Sequence, residues 1–235
     1  MDETNLLWIR ANKYKNGFPP LEEALTDPDG LLAAGGDLSS SRLLEAYRNG
    51  VFPWYDDEQP ILWWSPDPRT VFYPEQIHLS RSLKKAIKHQ PFNVTFDRAF
   101  ERVIHECAIP RADGNGTWIT SEMKAAYIKM HHEQSAHSLE CWLDDKLVGG
   151  IYGVTIGQVF FGESMFSRVS NASKICLIKL AELLQSWNYN LIDCQVDSEH
   201  LRSMGAVQIS RQDFKQLLDQ YCNEAISIDA WKYYD

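Results

Sequence analysis

Residues 160–196 constrain the fold more than any other stretch, because they read as strand, loop, helix and strand in one unit. Phe160-Phe161-Gly162-Glu163-Ser164-Met165-Phe166-Ser167 reads as a strand, Ala172 to Trp187 carries a helical apolar face, and Leu191 to Val196 returns as a strand. Asp193 and Gln195 stand two apart in that last strand, so a regular pleat aims both side chains at the same face. Glu163 lies in the preceding strand, so three polar groups can converge on one sheet. A buried polar group left unpaired costs roughly 1 to 3 kcal/mol. Three of them in core strands either satisfy one another structurally or do chemistry, and the residues alone leave both readings open.

The flanking sequence places this unit in a larger sheet. Ser138 to Leu143, Leu147 to Val154 and Val159 to Gly162, separated by turns at Asp144-Asp145-Lys146 and Gly157-Gln158, read as an antiparallel meander. Ser170 or Asn171 is the expected cap of the next helix. Its Cys176, Leu177, Leu180, Ala181, Leu183, Leu184 and Trp187 cover roughly 160° of arc, which lays it against the sheet. Meander, helix and strand is the order of an N-acyltransferase (GNAT-like) core, an α+β arrangement of a mixed sheet flanked by helices. Acyl-CoA enzymes of that architecture hold pyrophosphate on the backbone amides of a glycine-rich loop ahead of the helix. Here the loop Ser167 to Ser173 has no glycine, which argues against coenzyme A.

Residues 1–67 are expected to form a small N-terminal domain, with 68–235 as the transfer domain. Ser39 or Ser40 can cap a short helix bearing Leu43, Leu44, Ala46 and Tyr47 and ending at Gly50. The prolines and tryptophans of Val51 to Tyr55 and Ile61 to Arg69 point to a rigid loop without regular structure, suited to something flat. From Ser80, Arg81, Lys84, Lys85 and Lys88 gather on one helical stripe, either a solvated face or the one place where a phosphate backbone docks. Phe96, Phe100, Val103, Ile104 and Cys107 have helical spacing, and Thr120 or Ser121 can cap a helix with Met123, Ala126, Tyr127 and Met130. His131 and His132 diverge by about 100° on that helix, so no metal site is expected there. A turn at Ser203 to Ala206 and a helix from Asp213 to Asn223 close the chain.

A net charge of −9 argues, alone, against a nucleic-acid partner and favours a basic one, whereas eight tryptophans offer stacking platforms. Five scattered cysteines read as core thiols of a reducing compartment. With no apolar run of about 20 residues, the sequence expects no membrane span and a cytoplasmic protein. An acyl-CoA N-acetyltransferase and a non-catalytic RNA-binding module remain the competing readings; the second leaves Asp193, Gln195 and Glu163 as a core network.

The runs GLLAAGGDLS, GVFPWY, PILWWSPDPR, GTWIT, LVGGIYGV, FFGESMFS, NASK and LIDCQV, in this order, resemble the leucyl/phenylalanyl-tRNA–protein transferase family from Phe18 to about Phe214. The resemblance implies transfer of Leu or Phe from aminoacyl-tRNA to proteins beginning with Arg or Lys, marking them for N-end rule degradation. It implies Asp193 and Gln195 as the catalytic pair with Glu163 beside them, and Trp54 and Trp118 at the tRNA end. Arg81, Lys84 and Lys85 correspond to its basic cluster, and Ile151, Phe160, Leu177, Leu180, Leu184 and Ile192 to its apolar aminoacyl pocket. No cofactor and no metal are implied, and a monomer is expected. Chemically, Gln195 is too weak a base to act alone. Its carbonyl is expected to accept a hydrogen bond from the attacking amine while Asp193 accepts one from its side-chain NH₂.

Overall fold

The apolar run Leu31 to Gly35 is a strand in this computed structural model, which describes residues 6–11, 17–77, 83, 92–110 and 118–232. β1 (Leu7–Ile9) lies parallel to that strand, β2 (Leu31–Gly35). After helix α1 (Ser40–Arg48), β3 (Phe52–Pro53) and β4 (Leu62–Trp64) complete a four-stranded sheet in the order β1-β2-β4-β3. The segment expected to lack regular structure thus contributes two strands. Burial overrides its composition: Trp63 is fully buried, lies edge-on to Phe18, and donates its indole N–H to the Gly35 carbonyl at 2.8 Å. Pro53 is tolerated because β3 is an edge strand, where a missing N–H need not cost a ladder bond.

The remaining strands form one sheet. They are β5 (Arg69–Phe72), β6 (Asn93–Phe96), β7 (Ala136–Leu143), β8 (Lys146–Ile156), β9 (Val159–Ser167), β10 (Leu191–Gln195) and β11 (Val207–Ile209). Their order is β11-β5-β10-β9-β8-β7-β6. β7, β8 and β9 form the expected antiparallel meander, and β10 joins β9 in parallel, so the sheet is mixed and the class is α+β. Helices α2 (Phe100–Cys107), α3 (Ser121–His132), α4 (Ala172–Ser186), α5 (Glu199–Ser203) and α6 (Arg211–Tyr221) accompany it.

Local signals set several boundaries. Thr120 caps α3 by accepting the Met123 N–H at 3.2 Å. Asn171 occupies the cap position of α4 with a left-handed φ of 70° and makes no side-chain cap bond. Phe96 belongs to a strand rather than to the helix its spacing suggested: Val94 and Thr95 favour the extended chain and pair with β7, the backbone reverses at Asp97 (φ 53°), and α2 begins at Phe100. The expected turn at 203–206 separates α5 from β11, two elements too short to show a period.

Two apolar layers cover the sheet. Phe160 and Ile192 pack with Ile151 and with Leu177, Leu180 and Leu184 of α4, whereas Phe161 and Leu191 pack with Tyr47, Val103 and Met123 of α1, α2 and α3. The alternation of strands β9 and β10 assigns these residues to opposite faces. Gly149 lets α4 approach β8, since a Cβ there would lie 2.6 Å from that of Ala172. The second layer also reaches Trp63 and Phe52, so it ties the four-stranded sheet to the larger one. Arg81, Lys84, Lys85 and Lys88 lie outside the described residues; of that stretch Leu83 is described, helical and buried.

Candidate active site

Glu163 shares the face of β9 that carries Phe161, and so points at α1 and α3 rather than at α4. There its carboxylate meets three donors. Tyr47 of α1 donates to Oε1 at 2.6 Å, Tyr127 of α3 to Oε2 at 2.8 Å, and the Gln195 side-chain amide to Oε1 at 2.9 Å. The two phenolic oxygens are themselves 2.5 Å apart. Tyr152 of β8 packs edge-on against the Tyr127 ring, and its buried hydroxyl has no hydrogen-bond partner among the described residues.

Asp193 faces a different partner. Arg69, at the head of β5, clamps it with Nε to Oδ1 at 2.8 Å and Nη2 to Oδ2 at 2.7 Å, and sends Nη1 to the Gly50 carbonyl at 3.2 Å. The guanidinium lies between the rings of Phe52 and Phe214, 4.7 and 4.6 Å from their centroids. Such a bidentate, ring-stacked fork is the arrangement that lets a buried arginine satisfy a buried carboxylate.

The structure brings the three sequence-derived polar residues together, but not by the regular pleat the sequence suggested. β10 carries a bulge: Asp193 pairs with Val71 and Gln195 with Thr70, leaving Cys194 as the extra residue, and Gln195 has a φ of 62°. Nor does the Gln195 side-chain amide go to Asp193. Asp193 Oδ1 accepts the Gln195 backbone N–H at 2.9 Å, which holds the bulge, while the side-chain NH₂ goes to Glu163. With its NH₂ so engaged, the Gln195 carbonyl oxygen is the end left to face a substrate.

Electrostatics separates the members of this group. Burial pushes the Glu163 carboxyl up to about 7; the hydrogen bonds from Tyr47, Tyr127 and Gln195 oppose that shift, and the charge of Asp193 adds to it. Burial, with Glu163 close by, holds the phenols of Tyr47, Tyr127 and Tyr152 well above the ordinary tyrosine range. Glu163 and Gln195 keep 8% and 7% exposure, whereas Tyr47, Tyr127, Asp193 and Arg69 have none, so the network reaches the surface at its Glu163–Gln195 corner.

Sequence reasoning missed Tyr47, Tyr127 and Arg69. The tyrosines sat at apolar positions of two helices and so read as core, but an arginine heading the buried run Arg69-Thr70-Val71-Phe72 is a signal as plain as Asp193 in β10. The six residues assigned to an aminoacyl pocket are all buried in the layer beneath α4, across the sheet from Glu163. Trp54 is 44% exposed and 5.7 Å from Trp64, and Trp118 packs half-buried on the layer that contains Tyr127. Among the described residues no cluster of His, Cys, Asp or Glu is arranged to hold a metal ion.

Two family models match the chain: leucyl/phenylalanyl-tRNA protein transferase over residues 71–219, and the N-terminal domain of the same family over residues 36–67. The leucyl/phenylalanyl-tRNA–protein transferase of Pseudomonas syringae pv. syringae is 54% identical over 95% of this chain and 97% of its own length. That of an Azoarcus species is 56% identical over 91% of each. Among solved structures, a GCN5-related N-acetyltransferase from Kribbella flavida overlaps 71% of this chain and 60% of its own, at 9% identity and a TM-score of 0.38.

Proposed function

This chain belongs to the leucyl/phenylalanyl-tRNA protein transferase family, and on that premise we propose how its buried network serves the transfer of leucine or phenylalanine from aminoacyl-tRNA to a protein beginning with Arg or Lys. The donor is an activated ester, and the acceptor α-amino group, with a pKa of about 7.7 to 8.0, is partly neutral near physiological pH. A strong base is therefore unnecessary, and orientation can supply up to roughly 7 to 11 kcal/mol of the barrier. Gln195 does the orienting. Its carbonyl oxygen accepts a hydrogen bond from the attacking amine, because Glu163 holds its NH₂ and so fixes which end of the amide faces outward. Asp193 acts one step back, holding the Gln195 backbone in its left-handed conformation while Arg69 neutralises it.

Trp54 and Trp118 are proposed to stack on the tRNA end, and Arg81, Lys84 and Lys85 to meet its phosphates. The six apolar residues beneath α4 are proposed to receive the leucyl or phenylalanyl side chain. Apolar burial discriminates by about 1 to 3 kcal/mol per methylene, so Met is expected as a weak donor. Degradation of the modified proteins, a cytoplasmic location and a monomeric state belong to the same proposal. Among the described residues no helix is long and apolar enough to cross a membrane.

The single observation that carries this reading is the Gln195–Glu163 bond at the exposed corner of an otherwise sealed network. Its test is transfer of radiolabelled Leu from Leu-tRNA to a protein beginning with Arg, beside the same protein beginning with Ala. Transfer to the first alone is expected. Tight tRNA binding with no transfer would return Asp193, Gln195 and Glu163 to a structural role.

A further inference from the structure

The hydrogen atoms around Glu163 do not add up if its carboxyl is ionised. Three oxygen–oxygen contacts close a ring: Tyr47 to Tyr127 at 2.5 Å, Tyr47 to Glu163 Oε1 at 2.6 Å, and Tyr127 to Glu163 Oε2 at 2.8 Å. The two phenols supply two protons for these three contacts. If both phenols donate to the carboxylate, the closest of the three contacts, between the phenolic oxygens, has no proton in it. A third proton on Glu163 closes the ring: Oε2 donates to Tyr127, Tyr127 to Tyr47, and Tyr47 to Oε1. Oε1 also takes the Gln195 amide, so the extra proton belongs on Oε2.

From this count we infer that Glu163, Tyr47 and Tyr127 form a proton-holding ring, occupied by three protons when Glu163 is neutral and by two when it is ionised, which exchanges its third proton with the reacting groups. Exchange takes place at the Glu163 corner, since Glu163 keeps 8% exposure while both tyrosines have none. The role in transfer rests on the function proposed above; the ring itself does not. In the transfer step the acceptor nitrogen forms its bond to the ester carbonyl carbon and gives a proton to ionised Glu163, completing the ring. The bond from that carbon to the ribose oxygen then breaks, the oxygen leaves with the bonding pair and takes the proton back, and Glu163 ends ionised as it began.

The other groups facing Glu163 do not supply the missing proton. From β8 the Tyr152 hydroxyl makes no hydrogen bond among the described residues, and from β10 Gln195 already gives one amide N–H. Asp193 of β10 is an acceptor, taken up by Arg69 of β5.

The ring has a consequence opposite in sign to that of ordinary donors. If the tyrosines merely stabilise a carboxylate, removing one raises the Glu163 titration midpoint. In the ring, Tyr47→Phe removes one charge-assisted bond from the ionised form and two neutral bonds from the protonated form. Charge-assisted bonds are roughly twice as strong as neutral ones, so these losses cancel. What remains is relief of the proton-less contact, and the midpoint falls.

The experiment is a difference-infrared titration of the whole protein, following the carboxylic acid carbonyl stretch that disappears in Glu163→Gln. In the unsubstituted protein the band is expected to titrate near neutrality, and in Tyr47→Phe its midpoint is expected to fall by about one pH unit. A midpoint that rises or stays fixed overturns the ring. Tyr127→Phe gives the same reading if the first variant does not fold, and a carboxyl already ionised at about pH 5 in the unsubstituted protein overturns it without any variant. Protonation of the acceptor amine alone lowers the single-turnover transfer rate about tenfold per pH unit, and below the Glu163 midpoint the loss should steepen to about a hundredfold per unit. A rate indifferent to the midpoint overturns the proton transfer but leaves the ring. Absence of transfer refutes the proposed function and leaves the infrared result untouched.

Discussion

Two carboxylates lie side by side on adjacent strands, and the protein treats them in opposite ways. Asp193 on β10 has a full counter-charge, the bidentate Arg69 fork, packed between two aromatic rings. Glu163 on β9 has three neutral donors and, among the described residues, no cation, and burial lifts it to about 7. The first arrangement fixes backbone geometry: it ties β5 to β10, reaches back to Gly50, and pins the Gln195 bulge. The second leaves a carboxyl free to change protonation near physiological pH, which is what proton transfer to or from a reacting group requires. Proximity and burial alone therefore do not set how a carboxylate titrates; its partner set does.

The largest effect that would break this contrast comes from the paired side. Arg69→Met leaves Asp193 buried without its cation, and denaturant unfolding is expected to show about 3 to 5 kcal/mol less stability. Asp193→Asn strands Arg69 in the same way. Joining Arg69→Met to Asp193→Leu should recover most of that loss, since an apolar pair of similar volume replaces an ion pair at little net cost. A double variant as unstable as the sum of the singles would mean that the bulge, not the charge, is what the pair supports.

On the unpaired side the effect depends on pH. The Glu163 carboxyl is raised from its ordinary value to about 7. Between about pH 4.5 and about pH 7 the folded chain holds a proton that the unfolded chain has released. Its contribution to stability is therefore complete at the acid end and is lost as pH rises through 7. Unfolding measured across that window should show the unsubstituted protein losing about 3 kcal/mol relative to Glu163→Gln. Parallel curves would mean that Glu163 ionises normally and that the contrast with Asp193 is false.

Tyr152 gives the smallest expected change. Its hydroxyl is buried beside the ring with no hydrogen-bond partner among the described residues, so Tyr152→Phe should be neutral, or stabilising by up to about 1 kcal/mol in thermal unfolding. A loss of more than about 1 kcal/mol would show that the hydroxyl belongs to the network after all.

What the sequence made legible follows the same division. Apolar runs bounded by turns located the meander and β10, strands buried on both faces, and helical spacing located α4. Glu163, Asp193 and Gln195 stood out as polar residues interrupting core strands. Their wiring did not, because a bulge at Cys194 is a tertiary compromise with no local signature, and it reassigned the Gln195 amide from Asp193 to Glu163. Tyr47 and Tyr127 were hidden by chemistry: a tyrosine on an apolar helical face has the same spacing whether its hydroxyl is idle or bonded. The strands around Trp63 were hidden by composition, since proline and tryptophan density signals a loop unless the tryptophan is known to be buried.

The central claim is that Gln195, turned outward by Glu163, orients the attacking amine. The most direct test is the single-turnover rate of leucyl transfer from bound Leu-tRNA to a peptide beginning with Arg, in the unsubstituted protein and in Gln195→Ala, with tRNA affinity measured on the same samples. The expected result is a rate about 100-fold lower at unchanged tRNA affinity. An unchanged rate, or rate and affinity lost in equal measure, would contradict it.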